Sequence, residues 1–255
     1  MTANLNHLPS IKFALIRKIW RKIKKPFLRW FRLCIASFPQ EGIEYIGNNE
    51  YGTISIDARM EEGVFEYNDM IVTNQSIGRF FIRDAKKIVN IGSGVGTFEN
   101  HNAIEHPEVL FVASEFDSSS VDWCRQHRSA SNIIYCSDDI ETLCKTYGQF
   151  DLAVCIDVIE HIKDYGSFLS EFVKLANRAV IATPNRDRYY RIADLQIPPY
   201  KCHTHEFNAG EFYFLLKAFY RKVELFSFPD PLAQKIIPVG IYSSYEKLVA
   251  HCSNQ

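Results

Sequence analysis

Lys87-Ile-Val-Asn90-Ile-Gly92-Ser-Gly94-Val-Gly96-Thr97-Phe-Glu99 carries a short apolar run into a glycine-rich turn and out into a helix-like segment. That succession decides the architecture. Strand, glycine turn and helix form the first half of a βαβ unit, whose second strand lies parallel to the first. Glycines here permit positive φ and let a ligand reach the backbone, while the helix start beyond them offers unpaired N–H groups. The spacing is GxGxG, whereas a dinucleotide fingerprint reads GxGxxG, which turns the reading from NAD towards another adenosine-bearing ligand. Taken alone, the stretch also reads as a plain structural turn.

Outward from this point the alternation continues. KIVNI (87–91), VLFVAS (109–114), NIIYC (132–136), DLAVCI (151–156) and AVIA (179–182) read as buried strands. Between them, Thr97–Glu105, Ser119–Arg128, Ile140–Tyr147 and Tyr165–Ala176 have helical character, and a further helix precedes them from about Tyr67 to Phe81. Near the end, Asn208-Ala-Gly-Glu211 has the form of an N-cap with Glu at N3, opening a helix through about Phe219. VELFSF (223–228) and IIPVGIY (236–242) supply two more strands. The expected fold is therefore α/β, a doubly wound, seven-stranded, mostly parallel sheet with helices on both faces.

Composition agrees with a globular domain and excludes whole-chain disorder, a collagen-like fibre and a disulfide scaffold: 47% of the 255 residues are hydrophobic and 23% charged. The seven cysteines are scattered and never spaced CxxC, which fits reduced thiols in the cytoplasm rather than a disulfide framework or a structural zinc site. No apolar run approaches the roughly 20 residues of a membrane-spanning helix. The start also lacks the apolar core of a secretory signal. The net charge of −1 conceals an asymmetry: residues 11–32 hold nine of the 29 Lys and Arg and no acid, leaving the remainder with 20 cations against 30 acids, or −10. Residues 1–40 form a basic amphipathic helical arm, with Leu15, Ile16, Ile19, Trp20, Ile23 and Phe27 on one stripe and Pro26 marking a kink or a second start. Such an arm lies on an anionic membrane surface, making the protein peripheral on the inner face, or docks on the body, binds nucleic acid, or serves as a transit segment. Residues 41–255 form the main domain, with a ligand-binding half at about 85–183 and a lid with terminal strands at about 184–245.

Ligands of open parallel sheets bind at the carboxyl ends of the strands. Glu115 stands at the second strand end, where a carboxylate accepts from both ribose hydroxyls or simply starts a helix. At the third, Ser137-Asp138-Asp139-Ile140 offers a side-chain acceptor for an adenine amino group or an N-cap.

The fourth strand end carries the most specific signal. Phe150-Asp-Leu-Ala-Val-Cys-Ile-Asp157-Val-Ile-Glu160-His161-Ile-Lys-Asp164 is followed by a helix and then by Ala179-Val-Ile-Ala-Thr-Pro184-Asn185. In this the chain resembles the class I S-adenosylmethionine-dependent methyltransferases, many of which show a D-V-L-E-H-like turn after the fourth strand and T-P-N after the fifth. His203-Thr-His205-Glu206-Phe207 resembles the H-x-x-E-F segment of a subgroup. The resemblance covers about residues 65–230 and implies a Rossmann-like fold with S-adenosyl-L-methionine as cofactor. It further implies that Gly92, Gly94 and Gly96 line the methionine and ribose part. Glu115 would hold the ribose and Phe116 flank the adenine, with Asp138 or Asp139 and Ile140 at its edge and Asp157 with Val158 beside the sulfonium. Family members usually carry an acid at the position of Asn90, where it helps hold the cofactor's amino group; asparagine keeps an acceptor but loses the charge.

Transfer of a methyl group from a sulfonium is an in-line displacement, so alignment and exclusion of water are the protein's main contributions. An oxygen acceptor also benefits from a general base, and His161, His203 and His205 are the candidates, with Glu160 placed to orient an imidazole or touch substrate. Each imidazole reads equally as a structural tie. No HExxH or Cys/His spacing occurs, so no metal is expected. Arg186, Arg188 and Arg191, in the Arg- and Tyr-rich stretch 185–205, offer contacts to a phosphate or carboxylate. The expected acceptor is a small molecule, a glycan or a lipid-linked intermediate. The −10 body speaks against a nucleic-acid substrate. The rival readings are an NAD-dependent oxidoreductase, disfavoured by the glycine spacing, and a catalytically silent binding module, for which Asn90 is the one supporting residue.

Overall fold

Five parallel strands frame the molecule. In this computed structural model, which describes residues 68–189, 203–228 and 235–254, β1 (Lys87–Ile91) lies between β2 (Leu110–Ser114) and β4 (Leu152–Ile156). Beyond β2 is β3 (Ile133–Cys136), and beyond β4 is β5 (Arg178–Pro184). Three strands joined by antiparallel pairing complete the sheet: β6 (Lys222–Ser227), the two-residue β7 (Ile237–Pro238) and β8 (Lys247–Ser253), giving the order β3-β2-β1-β4-β5-β8-β6-β7. The arm at 1–40 and most of the lid fall outside the described residues.

Helices α1 (Asn68–Phe81), α2 (Thr97–Glu105), α3 (Ser118–His127), α4 (Ile140–Tyr147), α5 (Tyr165–Phe172), the short α6 (Arg186–Tyr189) and α7 (Ala209–Lys217) connect the strands. Successive strand residues point to opposite faces, and the core divides accordingly. Val89, Ala153 and Ile181 pack with Leu143, Leu169, Phe172, Phe212 and Leu216 beneath α4, α5 and α7. Ile88, Leu152, Val154 and Val180 pack with Ile77, Phe81 and Phe98 beneath α1 and α2. Truncating any of these buried leucines to alanine costs about 2–5 kcal/mol. The expected capping box forms: Asn208 Oδ1 accepts from Glu211 N at 2.9 Å, and Glu211 Oε2 accepts from Asn208 N at 3.2 Å.

Three expectations need correction. The sheet has eight strands rather than seven, because β8 inserts antiparallel between β5 and β6. Its apolar run Leu248-Val-Ala is too short to declare itself as strand. The stretch 236–242 pairs only at Ile237–Pro238, since Pro238 brings no donor to the ladder and is tolerated at this edge. Helix α5 ends at Phe172 instead of Ala176, through a turn that leaves Ala176 bridged to Phe150. No described helix is long and apolar enough to cross a membrane.

Strand order reverses around β1, whose neighbours lead off in opposite directions, and this is where such sheets open a crevice.

Candidate active site

A cavity of about 890 Å³ occupies that crevice, with walls from the ends of β1, β2, β3 and β4. Gly92, Gly94, Glu115, Phe116, Asp138, Asp139, Ile140, Asp157, Val158 and His161 line it. Four strand ends that lie far apart in the chain thus share one space. Of the other expected site residues, Asn90, Gly96, Glu160 and His203 are not on its wall.

Gly92 stands at φ 72°, and a Cβ on it would meet Val158 Cγ2 at 2.4 Å, so the turn after β1 and the turn after β4 approach as closely as glycine allows. Gly96, at φ 70°, caps α2 and faces Tyr135, whose hydroxyl would lie 2.8 Å from an added Cβ. Its place is therefore in the packing behind the loop, a correction to the expectation that it lines the cavity.

Glu115 is held in a fixed pose: Oε2 accepts from Gly94 N at 2.7 Å and Oε1 from Asp117 N at 3.1 Å. Each oxygen keeps a second lone pair for a hydroxyl donor. Phe116, 61% exposed, presents its ring at the rim. The structure separates the two aspartates at the third strand end. Asp139 caps α4 through Thr142 N at 2.8 Å, and hydrogen bonding from the Thr142 side chain and then its backbone holds the carboxyl below the usual range. Asp138, whose backbone oxygen takes the Ser114 hydroxyl at 2.6 Å, is half-buried on the wall.

Asn90 is buried behind the glycine loop beside Glu99, from the first turn of α2. Burial pushes the Glu99 carboxyl up to about 7, against the opposing pull of the Asn90 side chain and of Arg128. Linear reading passed over Glu99, although an acid in a first helical turn just past a glycine loop was the available signal.

The turn after β4 is built differently. Asp157 adopts φ 56°, rare for a residue with a side chain, and its Oδ2 is ion-paired with Lys247 of β8. Glu160 is wholly buried; its Oε2 accepts from Thr183 Oγ1 at 3.0 Å, and desolvation raises its carboxyl to about 8, with Asp157 adding to the rise. The Glu160 backbone oxygen accepts from Thr204 N at 2.7 Å and His205 N at 3.1 Å, pinning the loop that carries His203 to this turn. His203 Nδ1 lies 2.7 Å from Glu206 Oε1, and the rings of His161 and His203 meet edge to face with centroids 4.8 Å apart. Asp157 Oδ1, Glu160 Oε1 and Glu206 Oε2 are buried and receive no hydrogen bond from a described residue. Lys247 was not singled out from the sequence, because β8 is remote from the β4 turn, and Glu206 was read only as part of the H-x-x-E-F segment, with no role assigned to it.

Other expectations change. Arg186 is buried, with Nη2 donating to Glu211 Oε1 at 2.7 Å and Nη1 to the Glu206 carbonyl at 3.3 Å, so it ties α6 to α7 instead of waiting for an acceptor. Arg191 lies outside the described residues. His205 packs against Phe207 with centroids 4.5 Å apart, and burial lowers its pKa. Asn185 donates to the Ser243 and Tyr245 carbonyls, each at 2.8 Å, and so anchors the end of β5.

A family model described as a methyltransferase domain matches residues 65–219. The chain belongs to this methyltransferase family. The architecture is the class I S-adenosylmethionine-dependent methyltransferase fold, as the sequence resemblance implied. Among solved methyltransferases, the plantazolicin enzyme BpumL in complex with S-adenosylhomocysteine is similar with a TM-score of 0.60, at 13% identity over 93% of this chain and 100% of that one. The N-terminal domain of EvdMO1, crystallised in the presence of S-adenosylhomocysteine and D-fucose, gives 0.53 at 14% identity over 75% and 85%. A Thermotoga maritima methyltransferase described as a possible histamine N-methyltransferase gives 0.52 at 14% identity over 72% and 89%. At such identities the likeness is one of fold. Comparison with curated proteins returns no sequence match.

Proposed function

We propose that this methyltransferase takes S-adenosylmethionine in the 890 Å³ cavity and methylates an oxygen of a small-molecule, glycan or lipid-linked acceptor. The observation that carries the reading is the convergence of Gly92, Gly94, Glu115, Asp138 and Asp157 on one cavity at the reversal of strand order. The residues fit the cofactor. Glu115 presents lone pairs for two ribose hydroxyls, Phe116 offers an aromatic face, and Asp138, unlike the capping Asp139, is available at the adenine edge. Gly92 keeps the cavity open beside Val158. When bound, the cofactor supplies an electrophilic methyl group.

The chain's own residues then align and shield. Asp157 and Val158 form the wall nearest the turn after β4, and the cluster of Glu160, His161 and His203 stands at the acceptor end, where a hydroxyl proton must be removed. His161 is the member that reaches the cavity. Asn90, the residue that favoured a silent module, lies behind the loop beside the carboxyl of Glu99, so an acid stands next to the position where the family's charge is lost.

Calorimetric titration with S-adenosylhomocysteine and NADH tests the cofactor reading: one site for the former and none for the latter are expected, and no binding of S-adenosylhomocysteine overturns it. Incubation with methyl-labelled S-adenosylmethionine and separated metabolite and lipid extracts tests the acceptor class. Label confined to a nitrogen or carbon product overturns the oxygen assignment.

A further inference from the structure

We propose that Glu160, His161 and His203 hold one divalent first-row metal ion at the acceptor end of the cavity, and that this ion receives the oxygen to be methylated. The ion site stands on geometry alone, while its part in catalysis rests on the methyl-transfer reading above.

One carboxylate oxygen of Glu160 and one ring nitrogen of each histidine lie within 4.8 Å of one another. Ligands about 2.0–2.2 Å from a common ion sit roughly 3–4 Å apart, so modest side-chain rotation closes the set. Two imidazoles and one carboxylate suit zinc, manganese or iron and leave coordination positions open. A second observation points to a cation independently. Glu160 is wholly buried, its Oε1 accepts nothing from a described residue, and Lys247 is ion-paired to Asp157 rather than to it. A buried carboxyl in this condition either keeps its proton or takes a positive partner, and a metal ion bound there displaces the proton.

The surroundings match a ligand set as well. Glu206 Oε1, 2.7 Å from His203 Nδ1, fixes the ring so that Nε2 is the nitrogen it offers, as a carboxylate behind a metal-bound histidine does. Bonds from Thr204 and His205 to the Glu160 carbonyl lock the His203 loop to the β4 turn, so ligands 42 residues apart share one frame. His161 lines the cavity, so the ion's open positions face the acceptor. An acceptor with two adjacent oxygens, such as a vicinal diol, a catechol or a hydroxy acid, chelates through those positions. Its hydroxyl, polarised by the ion, releases a proton to water more readily than in solution. The oxygen–carbon bond then forms as the carbon–sulfur bond breaks, and the electron pair of the latter stays on sulfur.

The test uses the full chain, stripped with a chelator and titrated with Mn²⁺ while electron paramagnetic resonance follows the free ion, with Zn²⁺ as competitor. One Mn²⁺ per chain is expected, displaced by Zn²⁺. Affinity should fall ~10-fold or more in Glu160→Gln, in His203→Gln and in Glu206→Gln. Thermal melts and S-adenosylhomocysteine titration of the same variants identify any that fail to fold, and His127→Gln, on the exposed end of α3, should bind as wild type. Absence of Mn²⁺ and Zn²⁺ binding, or binding unchanged in all folded variants, overturns the site. If the ion binds as described but S-adenosylhomocysteine does not, the ion site stands and the methyl-transfer reading fails.

Discussion

The two ends of the cavity are built on opposite electrostatic terms. At the glycine-loop end, two of the wall carboxylates are engaged, since Glu115 holds two backbone N–H groups and Asp139 caps a helix, and the unsatisfied acid there, Glu99, is kept behind the wall. At the acceptor end, three buried carboxylate oxygens, on Asp157, Glu160 and Glu206, accept nothing from a described residue, and two imidazoles crowd between them. A satisfied carboxylate is a rigid receptor, while an unsatisfied buried one is a costly arrangement that reactive sites retain. The difference supports the proposed division, with ligand recognition at the glycine loop and chemistry at the turn after β4.

That division can be attacked by mutation. The largest effect is expected at the acceptor end: His161→Ala and His203→Ala should each lower incorporation of labelled methyl ~100-fold or more, with S-adenosylhomocysteine affinity near wild type by calorimetry. Equal losses in both quantities would mean that the two ends are one unit.

Next comes the buried acid behind the glycine loop. Glu99 has a folded pKa near 7 against an ordinary 4.5. The folded state therefore binds the proton more tightly, and stability is full below pH 4.5 and declines as pH rises through 7, by about 3 kcal/mol. Glu99→Gln should flatten this decline in urea melts at pH 4.5, 6 and 8. An unchanged slope would assign the pH dependence elsewhere.

Smaller again, Glu115→Gln should weaken S-adenosylhomocysteine binding ~10–100-fold through loss of charge on two hydrogen bonds. Asp139→Asn should be close to neutral, since asparagine caps a helix as well as aspartate does. A strong effect at Asp139 would reverse the roles of the two aspartates. Smallest of all, Lys145→Ala removes an exposed i,i+4 pair with Glu141 at 2.6 Å and should leave the melting curve essentially unchanged.

The parallel half of the fold was legible residue by residue. KIVNI and the helix Ile140–Tyr147 match their observed bounds, and the strands at 110–114, 133–136 and 152–156 start one residue later than read. The antiparallel half was not. β8 carries Leu248, Val249 and Ala250 into the centre of the sheet, but a three-residue apolar run beside Tyr245, Glu246 and Lys247 has no period of its own. Among site residues, those adjacent to a strand end were found, whereas Gly96 and Asn90 sit one layer behind the wall, a depth that spacing does not encode.

Alternating apolar runs, a glycine turn and the acids that follow each run are properties of neighbours along the chain, so the order of amino acids was enough to establish the doubly wound sheet and its ligand-bearing edge. The Glu160–His161–His203–Glu206 cluster, the Asp157–Lys247 ion pair and the pairing of Asn90 with Glu99 arose only on folding. Their members lie on different elements, and which elements meet depends on strand order, register and the loop bonds to the Glu160 carbonyl, none of which has a local signature.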